Sequence, residues 1–201
     1  MNEWELQDHL STKWRAENFI FNDFEYQLVC WELMFPSWLI NNNKSKWNEV
    51  SIDFILYSTE LSQFLCVELK NKISGKQKLL SGYCQATHRA VNFIEQYDSE
   101  KMNKARSVCF SESSFGRGGK ETIPEDINFS NNPVVKRVLM AREFPSTVNE
   151  AISHWDSLNQ LEIKQEISKY AVNKEFERFN AMTEEQFNLI EDNPLSIIQI
   201  D

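Results

Sequence analysis

The chain predicts an α/β fold: a mixed four- or five-stranded sheet flanked by helices, with a helical C-terminal part. Three observations predict it. Helical periodicity over residues 3–16 and 76–97 brackets two apolar runs of strand length, 50–58 and 63–71. A further apolar run, Pro133 to Ala141, follows the second helix. The last 55 residues carry helix-start signals and helical stripes. Hydrophobic residues make up 41% of the 201 positions, with only five Gly and five Pro, so the chain can build a core and is not of low complexity.

The elements follow in order. In residues 3–16, Glu3, Leu6, Leu10 and Trp14 fall on one helical face. Glu3 is an odd guest there, although an acid in a first turn also suits the helix dipole. Residues 19–40 fit one or two strands or a buried helix, and Pro36 must end or kink whatever precedes it. Asn41 to Lys46 is a loop. Residues 50–58 and 63–71 form two strands, expected as an antiparallel hairpin. Gly75 precedes the second helix, with a stripe of Leu79, Tyr83, Ala86, Ala90, Phe93 and Tyr97. Residues 105–111 predict a strand and Glu112 to Pro133 a polar loop. Its Gly116-Arg117-Gly118-Gly119-Lys120 run lacks phosphate-loop spacing. Thr147 and Glu150 have capping-box spacing for a helix with Val148, Ile152 and Trp155 inward. A second helix is expected from about Gln160 to Phe179, and a short third from Thr183.

The net charge of −9 is unevenly spread. Residues 1–64 carry −6, residues 65–142 carry +5 and residues 143–201 carry −8. Lys70, Lys72, Lys76 and Lys78 stand in the basic middle with no acid among residues 69–78. They form either a phosphate-tracking surface or an ordinary solvated patch. Cys30, Cys66, Cys84 and Cys109 have no metal-ligand spacing and read as reduced, buried residues. No apolar run reaches 18 residues and the N-terminus lacks a secretion-signal pattern, so no membrane association is expected and the expected address is cytoplasmic.

The chemistry concentrates in SIDFILYSTELSQFLCVELK, residues 51–70. Asp53 is embedded in one apolar strand; Glu68 and Lys70 end the next, in D-x14-E-x-K spacing. Residues i and i+2 of a strand share a face, so Glu68 and Lys70 project together with Cys66. A lone Asp in an apolar run costs several kcal/mol unless it is paired or bound. Two convergent carboxylates suit a hard divalent cation, and a neighbouring lysine can orient water or offset charge at phosphorus.

These residues resemble the PD-(D/E)xK nuclease superfamily, the restriction-endonuclease-like fold. Together with the preceding helix, the following helix and its glutamine, they most resemble the branch with NucS-like and restriction-like endonucleases. The match covers about the first 100 residues; the remainder follows in general layout. The resemblance implies a nuclease-like core over residues 1–145, with 146–201 an acidic helical extension packed on it. It implies Asp53, Glu68 and Lys70 as the catalytic triad, and Mg²⁺ or Mn²⁺ held by Asp53, Glu68 and the Leu69 carbonyl. A first-helix glutamate often completes the site in this superfamily. Glu3 is the position that matches, with Glu5 and Glu49 as alternatives; Glu25 and Glu32 are further nearby acids. Several families carry Q-x-x-x-Y on the following helix. Gln85 supplies the glutamine, but Arg89 stands in place of the tyrosine, which leaves the role of Gln85 open and makes Arg89 a candidate phosphate contact. Lys72, Lys76, Lys78, Arg117 and Lys120 are the other candidate nucleic-acid contacts. His88 has a structural or a catalytic reading. The implied function is metal-dependent phosphodiester hydrolysis in DNA, with RNA not excluded, in repair, restriction or anti-phage defence. The acidic C-terminal helices are candidates to form a homodimer or a protein contact. Two rivals stand beside it: a catalytically inert module of the same fold, and an acidic DNA mimic that binds a protein partner.

Overall fold

The computed structural model describes residues 1–36, 49–97 and 129–201, without the side chains of 33–36, 49–50 and 96. The expected loop at Asn41–Lys46, the expected strand 105–111, Arg117, Lys120 and Cys109 lie outside the described residues. The described chain is α/β, with six strands in one mixed sheet, two more than four and one more than five. The strands run in sequence order, β1 to β6.

Helix α1 spans Glu3–Ala16, as the periodicity predicts, and buries Leu6, Leu10 and Trp14. Asn2 caps it: its Oδ1 accepts the Glu5 N–H at 2.9 Å, while Glu5 Oε2 accepts the Asn2 N–H at 2.8 Å. That reciprocal bond satisfies two otherwise open donors of the first turn. The segment left open between strand and helix is a hairpin. Strand β1, Phe19–Phe21, turns at Asn22 and Asp23 into β2, Phe24–Pro36. Both turn residues have positive φ, 50° and 68°, the backbone of a two-residue turn whose twist suits a hairpin. Strand β2 carries a register shift between Leu28 and Cys30.

Strands β3, Glu49–Ser58, and β4, Gln63–Lys72, form the expected antiparallel hairpin. Its register runs from Ser58↔Gln63 to Phe54↔Val67. Helix α2, Lys76–Gln96, then crosses over so that β5, Val134–Glu143, pairs parallel with β4. Parallel neighbours require such a crossover. Gly75 opens α2 at φ +108°, and an added Cβ there would meet nothing within 4 Å. Gly75→Ala is therefore expected to cost about 1–2 kcal/mol through the backbone alone. Chemical denaturation checks this.

The C-terminal part departs most from expectation. Helix α3, Val148–Asp156, buries Val148, Ile152 and Trp155 as predicted, but Thr147 makes no side-chain cap. The single helix expected to Phe179 is two, α4, Gln160–Ile167, and α5, Lys174–Ala181. Asn173 ends the gap by accepting the Phe176 N–H at 2.9 Å. Thr183 caps the short α6, Glu184–Asn188, with Gln186 closing a capping box. The stretch after it is not helical: Ser196–Gln199 is β6, parallel to β5 from Val138↔Ser196 to Ala141↔Gln199. The sheet thus runs across the division expected near residue 145.

The sheet separates two apolar layers. On one face α1 packs with Phe54, Leu56, Leu65, Val67 and Leu69. On the other, α2 and the C-terminal helices pack with Ile55, Tyr57, Phe64 and Cys66. Cys30, Cys66 and Cys84 are buried. No helix among the described residues is long and apolar enough to cross a membrane.

Candidate active site

The backbone pairing of β3 with β4 ends at Phe54↔Val67, one residue short of Asp53. Beyond it, the Asp53 side chain takes over from the backbone: its Oδ2 accepts the Leu69 N–H at 2.7 Å. Gln7 of α1 reaches the same point, donating to the Asp53 carbonyl at 3.4 Å. Glu68 and Lys70 continue the β4 face that Cys66 shares with the α2 layer. Lys70 Nζ donates to Glu68 Oε1 at 2.6 Å and lies 3.5 Å from Glu3 Oε1. Asp53, Glu68, Lys70 and Glu3 therefore meet at one end of the sheet. Glu5, the alternative to Glu3, is held in its cap with Asn2, and the Glu49 side chain is outside the described residues.

Glu68 is 1% exposed. One of its oxygens serves Lys70; the other, Oε2, has no hydrogen-bond partner. A buried carboxylate oxygen that accepts no hydrogen bond, with only the Arg89 Nε at 3.9 Å near it, is poorly compensated and suits a ligand. Burial raises the Glu68 carboxyl from its usual range, against the pull of Lys70 and Arg89. Burial, reinforced by the Glu68 charge, pushes Asp53 well up, with Lys70 and the Leu69 N–H opposing. Burial disfavours the Lys70 ammonium, but Glu68, Asp53 and Glu3 outweigh it and its pKa is raised.

These shifts set a sign. A carboxyl with a raised folded pKa binds protons more readily folded than unfolded, so its contribution to stability is full below the unfolded pKa and fades as pH rises through the folded one. Asp53→Asn keeps an oxygen for the Leu69 N–H and removes the buried charge. In chelator it is expected to raise Tm near pH 7.5 and to change it little near pH 4; thermal scans across pH test this.

A hard divalent ion fits the donors present, because Asp53 and Glu68 supply carboxylate oxygens and one of those oxygens accepts no hydrogen bond. Among the described residues, however, no three His, Cys, Asp or Glu side chains form a metal-binding group. Glu3 faces Lys70 as an ion-pair partner and is half exposed.

The structure corrects the role of Arg89 and favours the structural reading of His88. Arg89 is 5% exposed and is not a surface phosphate contact. Its Nε donates to the Ser51 carbonyl at 2.9 Å and its Nη1 to Glu175 at 2.9 Å. His88 is fully buried beside it, and burial with the charges of Arg89 and Arg178 drives its pKa down to about 2. It is a neutral packing histidine. Arg89 Nη1 stands 3.2 Å from its Nδ1, and a guanidinium can only donate. Gln85 is half-buried one helical turn before Arg89. Lys72 is exposed but paired with Glu143, whereas Lys76 and Lys78 are exposed at the start of α2.

Sequence reasoning missed Gln7 and Glu175. Gln7 had a signal, a polar residue between the buried Leu6 and Leu10. Glu175 had none: it joins Arg89 across 86 residues. No family model, curated protein or solved structure matches this chain.

Proposed function

We propose that this protein is a divalent-metal-dependent phosphodiesterase acting on nucleic acid, most readily a DNA endonuclease. One observation carries the reading: the Glu68 oxygen that accepts no hydrogen bond, buried beside Asp53 and Lys70 where the β3–β4 register ends. The surrounding order of elements also supports it, with a helix before the two motif strands and another directly after.

Asp53 and Glu68 would hold Mg²⁺ or Mn²⁺, with the Leu69 carbonyl as a third oxygen. When bound, the ion would polarise the scissile phosphate and lower the pKa of attacking water. The chain's own groups do the rest. The Leu69 N–H fixes Asp53 in orientation. Lys70, its pKa raised by three acids, stays protonated at neutral pH, so it serves as a fixed cation and not as a general base. It orients water and offsets charge that develops on phosphate oxygens. Glu3 holds the ammonium from the solvent side. Lys76 and Lys78, exposed at the start of α2, would follow the backbone of the substrate.

A second reading has its own support. Lys70 and Arg89 already flank Glu68, and Asp53 already closes the strand split, so the cluster is partly satisfied by the protein alone. That favours an inert module of the same architecture. Incubation with circular and linear DNA, single- and double-stranded, in Mg²⁺ or Mn²⁺ separates the two. The enzyme nicks DNA only with metal; the inert module leaves every substrate intact and binds no metal by calorimetry.

A further inference from the structure

Helix α5 brings Glu175 up to Arg89, the arginine that stands beside Glu68. Arg89 Nε lies 3.9 Å from Glu68 Oε2, yet that oxygen receives no hydrogen bond. An arginine this close to a buried carboxylate ordinarily forms a charge-assisted pair with it. Here its donors are drawn elsewhere. Nε goes to the Ser51 carbonyl, Nη1 to Glu175 Oε2 at 2.9 Å, and Nη2 towards Glu175 Oε1 at 3.4 Å. Glu175 is itself fixed, because Arg178 Nη1 donates to its Oε1 at 2.6 Å. The helix that carries Glu175 is anchored in turn by Phe176 and Phe179, both fully buried. Asn173, at its start, reaches Ser81 of α2 at 3.4 Å.

We infer that Glu175 is a positioning residue, whose carboxylate diverts the Arg89 guanidinium and so leaves Glu68 Oε2 open as a metal ligand. This rests on the proposed metal-dependent activity and adds a regulatory contact to it. Without the Glu175 charge, the nearest carboxylate for Arg89 is Glu68, and a guanidinium seated there competes with the cation for the same oxygen.

The test is calorimetric titration of Mn²⁺ alone, at fixed pH, into the full chain and its variants, with circular dichroism to confirm folding. Glu175→Gln is expected to weaken Mn²⁺ binding about tenfold or more. Arg89→Met, which removes a cation from beside Glu68, is expected to bind Mn²⁺ at least as tightly as the wild type. Arg89→Met combined with Glu175→Gln is expected to return to within about threefold of Arg89→Met, because the competing cation is gone. Rescue by a second substitution is not what a merely structural contact would give. Glu175→Asp, which keeps the charge but shortens the side chain, supplies a folded intermediate case with a smaller loss. Wild-type binding with Glu175→Gln unchanged, or a double variant no better than Glu175→Gln, overturns the inference and leaves the metal site standing. Absence of Mn²⁺ binding by the wild type overturns both.

Discussion

Lys70→Ala is expected to lower metal-dependent DNA cleavage by about 10³-fold while metal binding survives. The ammonium sits 2.6 Å from Glu68 and 3.5 Å from Glu3, so its position is set by the protein before any substrate arrives. Preorganised charge of this kind is worth most where water is excluded. Lys70→Arg tests geometry against charge, because the planar guanidinium keeps the charge but spreads it over a larger fork. It is expected to restore only a small part of the rate. Single-turnover cleavage of a labelled duplex reads both variants. Stability supplies a control of opposite character. Without Lys70 the buried Glu68 loses its close partner, and below its raised pKa it takes up a proton instead. The folding defect of Lys70→Ala should therefore be larger near pH 7.5 than near pH 5, whereas the cleavage defect should persist at both.

Phe64→Ala is expected to cost about 3–5 kcal/mol and to lower Tm by about 10 °C. Phe64 is fully buried, with ring centroids at 4.6 Å from Tyr57, 5.1 Å from Phe93, 5.5 Å from Tyr97 and 5.4 Å from Phe129. One side chain thus ties β4 to β3, to α2 and to the segment before β5. The four remaining rings cannot close over the cavity its loss leaves. Equilibrium urea unfolding measures the effect. Below the transition the proposed metal site should persist, because Glu68 lies two pleats along the strand.

The elements around the site were legible because they are local. The 3.6 period of α1 and α2 and the polar link between two apolar runs each signal themselves within a few residues. Asp53, Glu68 and Lys70 could be brought together on paper because strand alternation and a hairpin leave one arrangement. The hairpin at Asn22–Asp23 was obscured by its short first strand, too brief to show an alternating period. The break between α4 and α5 had a signal that went unused: on one continuous helix Phe176 and Phe179 would lie nearly opposite Ile163 and Ile167, and Asn173 is a strong cap. Strand β6 was missed for a different reason: four residues beside a parallel neighbour carry no pattern apart from their partner. The burial of Arg89 was equally invisible, since its partner lies far along the chain and only tertiary packing brings them together.

Strand β6 has a consequence for how this protein is made. The hairpins form from neighbouring residues, but β5 receives its outer partner only after residues 144–195 have been synthesised. At ribosomal rates of about 5–20 residues per second, that interval lasts roughly 3–10 s. During it the outer edge of β5 is an open template for other strands, rich in Val138, Leu139 and Met140. A nascent chain stalled in this interval should be more prone to association, and more dependent on chaperones, than the released protein.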